Sequence, residues 1–371
     1  MVALLLALAL GSSALASSVG APRRKVVVTD VDGTLFSFAG RDLSPGNRQA
    51  LSECVDRGVP VCIATGRIPG PWFSSLKEEL PGIGPCVFGN GALVVDGDGE
   101  PLFTSHLPQE IKSAVLEYTR GGTAGESGDR LCVLAATRWE PDAPYGGVRY
   151  CELSPDGAPT SITALIERAG EPDAVLRRSL DDFEAREVLK FVIWTEPGER
   201  GWASMPRTVA ALKARLAGTG ATVLDHGERW CEVLAPGVNK GRGTLVLYEH
   251  LGVAADDALA CGDAENDVEM LTLAGVGAAV ANAQPAALAA ADVVVSSNAD
   301  DGVAEAVRRF VLPESADGAV SSAQSAEEGA VSSADEFVTL DTAPLEFFTL
   351  DMCPYAQRCW IVLEELGDEC H

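Results

Sequence analysis

Short apolar runs without alternation, each ending on a polar residue and followed by a helix-forming stretch, constrain this chain more than any other feature of it. KVVVT (25–29) leads into Asp30, VPVCIAT (59–65) ends at Thr65, and ALACGD (258–263) ends at Asp263. GAAVAN and DVVVS continue the series further along the chain. A strand that is apolar at every position has both faces buried, which is the condition of a parallel sheet covered by helices. The intervening segments supply those helices. Ser44 is an N-cap with Pro45 in the first turn, and Gly58 stops the helix after Arg57. Further helices are predicted over 69–80, 241–250, VEMLTLAG and PAALAAA, with one more strand at Cys86–Phe88. This alternation implies βαβ units and an α/β fold with a parallel sheet.

Between 92 and 236 the texture changes. Asp96-Gly97-Asp98-Gly99 reads as a hairpin turn between LVV and PLF. Helical stretches (108–119, 159–169, 204–217) alternate with the strand candidates LCVLAAT, VLKFVIW and WCEVLA. This region is expected to be a separate α/β lobe, inserted between two halves of the first sheet at 25–91 and 237–312.

The ends of the chain read differently. VALLLALAL (2–10) followed by Ala14-Leu15-Ala16 fits a secretory signal peptide, although no basic residue precedes the run. Residues 1–24 are therefore expected to be a leader towards the secretory pathway or an organelle, the alternative being a cytoplasmic location. The apolar run is too short to span a bilayer, so no membrane is expected for the mature form. Residues 313–336, rich in Ala, Ser and Glu, read as a disordered linker, and 337–371 as a distinct tail. Of the ten cysteines, Cys62, Cys132, Cys231 and Cys261 lie in apolar runs, and no C-x-x-C pair occurs. The main body is thus expected to hold free, buried thiols. A net charge of −26 argues against nucleic acid as a partner and leaves an anionic ligand dependent on local cations or amides.

Four stretches carry chemistry. Asp30 and Asp32, in DVDGTL, leave the end of a buried strand, where open α/β sheets bind ligands. Two carboxylates so close suit a hard divalent cation, with one of them free to attack phosphorus. Taken alone they also read as an acidic turn, whereas an EF-hand loop fails for want of Gly and Glu at the required positions. Thr65 and Gly66, in ATGR, offer a hydroxyl and backbone amides to a phosphoryl oxygen, or form an ordinary cap and turn. Lys240, in GVNKG, opens a helix and adds its ammonium to that helix N-terminus, or is a solvated surface lysine. Asp263, Asn266 and Asp267, in GDAEND, follow another buried strand and can complete a metal site or orient a substrate, or simply cap a turn. The G-V-G-A-A-V run at 275–280 lacks the third Gly of a dinucleotide fingerprint and enters a strand.

Taken together, DVDGTLFS, IATGR, the GNGA of 89–92, GVNKGRG, GDAENDVEML, VGAAVANA and the DGVAEAV of 301–307 resemble the haloacid dehalogenase (HAD) superfamily, specifically its Cof-type phosphatases, over residues 25–312. The resemblance implies a Rossmann-like parallel-sheet core with an inserted α/β cap at 92–236. It further implies a Mg²⁺-dependent phosphatase of small phosphorylated metabolites, sugar phosphates first among them, working through an aspartyl-phosphate. On it Asp30 is the nucleophile and Asp32 the general acid/base, whose backbone carbonyl joins Asp30 and Asp263 on the metal. Thr65, Gly66 and Lys240 hold the phosphate, Asn90 and Asn266 face the substrate, and Asp267 supports Lys240 and the metal. A phosphomutase, or a phosphatase of cofactors such as flavin mononucleotide or pyridoxal phosphate, is the alternative within the same chemistry. The tail, FFTLDMCPYAQRCWIVLEELG, resembles the start of glutaredoxins and omega- or lambda-like glutathione transferases, with Cys353 at a helix start. A redox module fused to the phosphatase is therefore a further alternative. The tail is expected to be a thioredoxin-like fragment truncated at His371, in which no glutathione site is expected.

Overall fold

The computed structural model describes residues 24–36, 43–119, 131–138, 144–153, 175–178, 186–195, 205–227 and 230–312. The expected leader apart from Arg24, the helix at 159–169, the linker and the tail lie outside the described residues.

The first sheet begins with β1 (Val26–Thr29) and β2 (Val61–Ile63), paired in parallel. Successive side chains of a strand point to opposite faces, yet all four residues of β1 are 0% exposed, so both faces are covered. Helix Pro45–Asp56 connects them, with the Ser44 side chain accepting from the Asn47 amide as its cap. After helix Pro71–Glu79 come β3 (Cys86–Phe88), β4 (Leu93–Val95) and β5 (Pro101–Thr104), an antiparallel meander. The meander extends the first sheet: Ala64 and Val87 form a parallel bridge, and the Thr65 amide donates to the Val87 carbonyl at 2.9 Å. The hairpin β4–β5, which sequence assigns to the insertion, thus hydrogen-bonds to β3.

Helix Gln109–Thr119 leads to β6 (Leu131–Arg138), β7 (Val148–Leu153), β8 (Val175–Arg178) and β9 (Val188–Thr195). After helix Met205–Arg215, β10 (Thr222–Asp225) and β11 (Trp230–Leu234) complete a second, six-stranded sheet in the order β10-β11-β9-β6-β7-β8. It is antiparallel except for β7–β8. Three of these strands, β7, β8 and β10, are absent from the sequence expectation.

The chain then returns through helix Lys240–Leu251 to β12 (Ala258–Gly262), β13 (Val276–Val280) and β14 (Val293–Val295), all parallel. Helix Gly302–Phe310 packs on Pro45–Asp56. The order β14-β13-β12-β1-β2 bears out the expected parallel-sheet core with an inserted α/β lobe. The chain moves from β1 to β2 on one side and resumes with β12 on the other, so β1 and β12 flank a topological switch point, where a crevice opens beyond the strand ends. Among the described residues Cys54, Cys62, Cys86, Cys132, Cys151, Cys231 and Cys261 are free and buried. Burial pushes the thiols of Cys86 and Cys261 up to about 12, so they behave as apolar packing groups. No helix of the described residues is long and apolar enough to cross a membrane.

Candidate active site

The parallel register that sets Thr29 beside Cys261 delivers Asp30 and Asp263 to adjacent strand ends. Helix Lys240–Leu251 starts at the same rim, capped by Asn239, whose side chain accepts from the Arg242 amide. Lys240 is almost wholly buried, and its ammonium lies 2.7 Å from Asp30 Oδ1 and 2.6 Å from Asp267 Oδ1. Asp267 fixes the turn after β12 as well, its Oδ2 accepting from the amides of Asp263 and Ala264 at 3.0 Å each. Thr34 donates to Asp263 Oδ1 at 2.7 Å.

Asp30, Asp263 and Asp267 each present a carboxylate oxygen, and the three oxygens lie within 4.8 Å of one another. Burial and the nearby Asp267 push the Asp30 carboxyl up to about 7, against the attraction of Lys240. Asp263 is held well above the ordinary carboxylate range by burial and by the charges of Asp30 and Asp267. Burial works against the Lys240 ammonium, but Asp267 and Asp30 outweigh it and raise its pKa. Three carboxyls share one ammonium, so protons are held on Asp30 and Asp263 unless a further cation takes their place. The cluster's donors are all oxygens, the set that a hard divalent cation such as Mg²⁺ takes.

Asp32 stands apart from that cluster. Arg67 donates to both its carboxylate oxygens, from Nε at 2.8 Å and from a terminal nitrogen. The guanidinium also lies over the Trp72 ring, 4.8 Å from its centroid. Any share of Asp32 in a metal site thus falls to its backbone carbonyl. Thr65 lies behind the cavity wall, its Oγ1 accepting from the Arg67 amide at 3.1 Å and its carbonyl accepting from the Asn90 amide at 3.0 Å. Asn266 donates to Asn90 Oδ1 at 2.9 Å. All the sequence-derived site residues therefore meet at one rim, with Asp30, Asp32, Gly66, Asn90, Lys240, Asp263 and Asn266 facing a cavity of about 230 Å³ and Thr65 and Asp267 bracing it from behind.

The opposite wall comes from the six-stranded sheet: Tyr150, Val192, Leu224, His226 and Trp230. His226 and Trp230 stack with ring centroids 3.6 Å apart and 4° between planes, and Trp194 stacks behind Trp230 at 5.3 Å. Two charged residues from that lobe also reach the rim. Lys190 donates to the Gly66 carbonyl at 2.6 Å and to Glu232 Oε1 at 2.7 Å, and Asn90 donates to Glu232 Oε2 at 2.7 Å. Sequence reasoning overlooks Arg67, Lys190 and Glu232. A lone charge within each of the apolar strands VLKFVIW and WCEVLA is the available signal, because buried charges require partners.

The comparisons with known proteins agree with this geometry. The family described as haloacid dehalogenase-like hydrolase matches residues 27–128 and 175–307. The phosphoglycolate phosphatase of Methanothermobacter thermautotrophicus is 49% identical over 288 residues, covering 77% of this chain and 99% of that protein. The chloroplastic endoribonuclease YBEY of Arabidopsis thaliana is 30% identical over 302 residues; the match takes in 78% of this chain but only 47% of that longer relative. A solved HAD subclass IIB sugar phosphatase superposes with a TM-score of 0.61 at 21% identity, over 77% of this chain and 98% of its own, a likeness of fold. The chain belongs to the haloacid dehalogenase-like hydrolase family, and is an enzyme of its phosphoric monoester hydrolase type.

Proposed function

We propose that the protein is a Mg²⁺-dependent phosphatase of small phosphorylated metabolites that works through an aspartyl-phosphate on Asp30. One observation carries the reading: the carboxylates of Asp30, Asp263 and Asp267 converge with the Lys240 ammonium at the ends of β1 and β12, under the cavity. Phosphoryl transfer is governed by positioning and charge neutralisation, and this rim supplies both. Lys240 and the turn at Gly66, which Thr65 braces from behind, hold the phosphoryl oxygens. An Asp30 carboxylate oxygen bonds to phosphorus as the bond to the leaving oxygen breaks, and Asp32 gives that oxygen its proton. Water then attacks the phosphorus and loses a proton to Asp32, which releases phosphate and frees Asp30. Asp30, Asp263 and the Asp32 carbonyl would hold Mg²⁺, which would supply positive charge against the phosphoryl group.

Asp30→Asn should abolish hydrolysis of an aryl phosphate in the presence of Mg²⁺, with the fold retained by circular dichroism. Retained turnover would reject the nucleophile. Sugar phosphates are the first substrate class to screen, and phosphoglycolate follows from the relative that acts on it. A second reading has its own support: the Trp230–His226 stack offers a flat wall to a leaving group that carries a planar ring, as in flavin mononucleotide or pyridoxal phosphate. Product analysis across a metabolite panel separates these, and isomerised instead of free phosphate marks a mutase.

A further inference from the structure

Lys190 and Glu232 belong to the six-stranded sheet, yet their hydrogen bonds end on the first one. Lys190 lies opposite Leu234 in the β9–β11 register, so Glu232, two residues back, is its diagonal neighbour on the same face. Both side chains are almost fully buried, 1% and 3% exposed. A buried ion pair contributes little net stability against an apolar pair of the same volume, so stability is a weak reason for this one. What distinguishes it is the pair's other contacts. Lys190 takes the Gly66 carbonyl at 2.6 Å, while the N–H of the same peptide unit, on Arg67, is taken by Thr65 Oγ1 at 3.1 Å. Both ends of the Gly66–Arg67 peptide are thus pinned, one of them by the inserted lobe. Because a lone pair of Thr65 Oγ1 is occupied by that amide, its hydroxyl hydrogen is left to donate elsewhere. Glu232 continues the path through Asn90, whose own amide donates to the Thr65 carbonyl at 3.0 Å. The contacts close a ring that runs Lys190, Gly66, Thr65, Asn90, Glu232 and back to Lys190.

We infer that Lys190 and Glu232 are positioning residues that set the phosphate-binding turn Thr65–Gly66 from the inserted lobe, so that phosphate affinity depends on how that lobe is seated. The inference rests on the phosphatase reading of the same site. A lobe residue that instead reads the leaving group would affect substrates unequally and leave free phosphate untouched. Inorganic phosphate has no leaving group, so its binding isolates the turn.

The test measures phosphate as a competitive inhibitor, and by calorimetry, on the full chain with Mg²⁺, comparing wild type with Lys190→Met/Glu232→Gln. This double variant removes both charges together and leaves neither one buried alone. Phosphate is expected to bind about tenfold more weakly, the gain of a charge-assisted hydrogen bond to a pinned turn. The specificity constant kcat/KM should fall by a common factor for substrates with different leaving groups, at an unchanged unfolding transition. Unchanged phosphate affinity, or a loss that differs from substrate to substrate, overturns the inference while leaving the phosphatase reading intact. Wild-type protein that neither binds phosphate nor hydrolyses a phosphate ester overturns both. Should the double variant not fold, Lys190→Gln/Glu232→Gln carries the same test, since its two amides can pair with each other while the side chain at 190, one atom shorter, no longer reaches Gly66.

Discussion

On the proposed mechanism, Arg67 orients the residue that handles the proton, Asp32. Its two hydrogen bonds hold the Asp32 carboxylate in a fixed plane beside Asp30, and the Trp72 ring braces the guanidinium. Planar two-point pairing of this kind orients a carboxylate in a way that a point charge does not. General acid–base assistance is worth roughly 10²–10⁴ in rate, so Arg67→Met should lower kcat about tenfold through misorientation alone, with KM for an aryl phosphate little changed. Steady-state kinetics of the folded variant check this. His226 supports a different prediction at the same scale. Burial, opposed by Glu232, brings its imidazole down from 6.5 to about 4, with Lys190 assisting, Asp225 opposing and Lys240 assisting. Between those two values the unfolded chain binds a proton that the folded protein refuses, so stability falls as pH drops through that window. His226→Phe keeps a flat ring against Trp230 and removes the titration. Its unfolding temperature should therefore decline less than that of wild type between pH 7 and pH 4.

The link from β3 into β4 shows how an element positions chemistry beyond its own Asn90. Asn90 adopts φ 57° and Gly91 φ 97°, and a Cβ on Gly91 would lie 2.1 Å from the Asn239 carbonyl oxygen. Asn239 is the cap of the helix that presents Lys240, so this contact sets the lysine against Asp30. Gly91→Ala should destabilise the fold by more than about 1 kcal/mol in urea unfolding, because both the backbone angle and the space forbid the methyl group. The parallel strands are legible in sequence because full burial removes polar alternation, and β1, β2 and β12 end on their chemical residues with little loop between. The strands that sequence reasoning passes over have weaker patterns. β7 carries Arg149 and Glu152 among its apolar residues, and β10 is a four-residue edge strand, partly exposed along most of its length. The site divides in the same way. Asp30, Asp263 and Lys240 are legible because each follows or opens an element at one rim. Lys190 and Glu232 gain their meaning from a fold-back of the inserted lobe that no local spacing encodes.

At the scale of the whole molecule, a charge of −26 is self-repulsive, and any added salt screens it over roughly 10 Å at 0.1 M. The Asp30, Asp263 and Asp267 cluster is a different case, because its carboxyls converge at the foot of the cavity and favour one specifically held cation over diffuse screening. The two effects separate by concentration and by ion. Surface screening follows ionic strength, so NaCl and MgCl₂ matched in ionic strength should raise the unfolding temperature by similar amounts if the surface is the whole cause. A divalent ion held by the cluster binds the folded chain alone, and at a hundred times its dissociation constant adds about 2.7 kcal/mol. Millimolar Mg²⁺ should therefore raise the unfolding temperature by several degrees in a background of 0.15 M NaCl, where it adds little to the ionic strength. Asp263→Asn should erase that increment without altering the response to NaCl, since it removes one ligand and leaves the surface charge pattern almost intact. Equal stabilisation by Mg²⁺ in wild type and Asp263→Asn would assign the effect to the acidic surface and leave the carboxylate cluster without a resident cation.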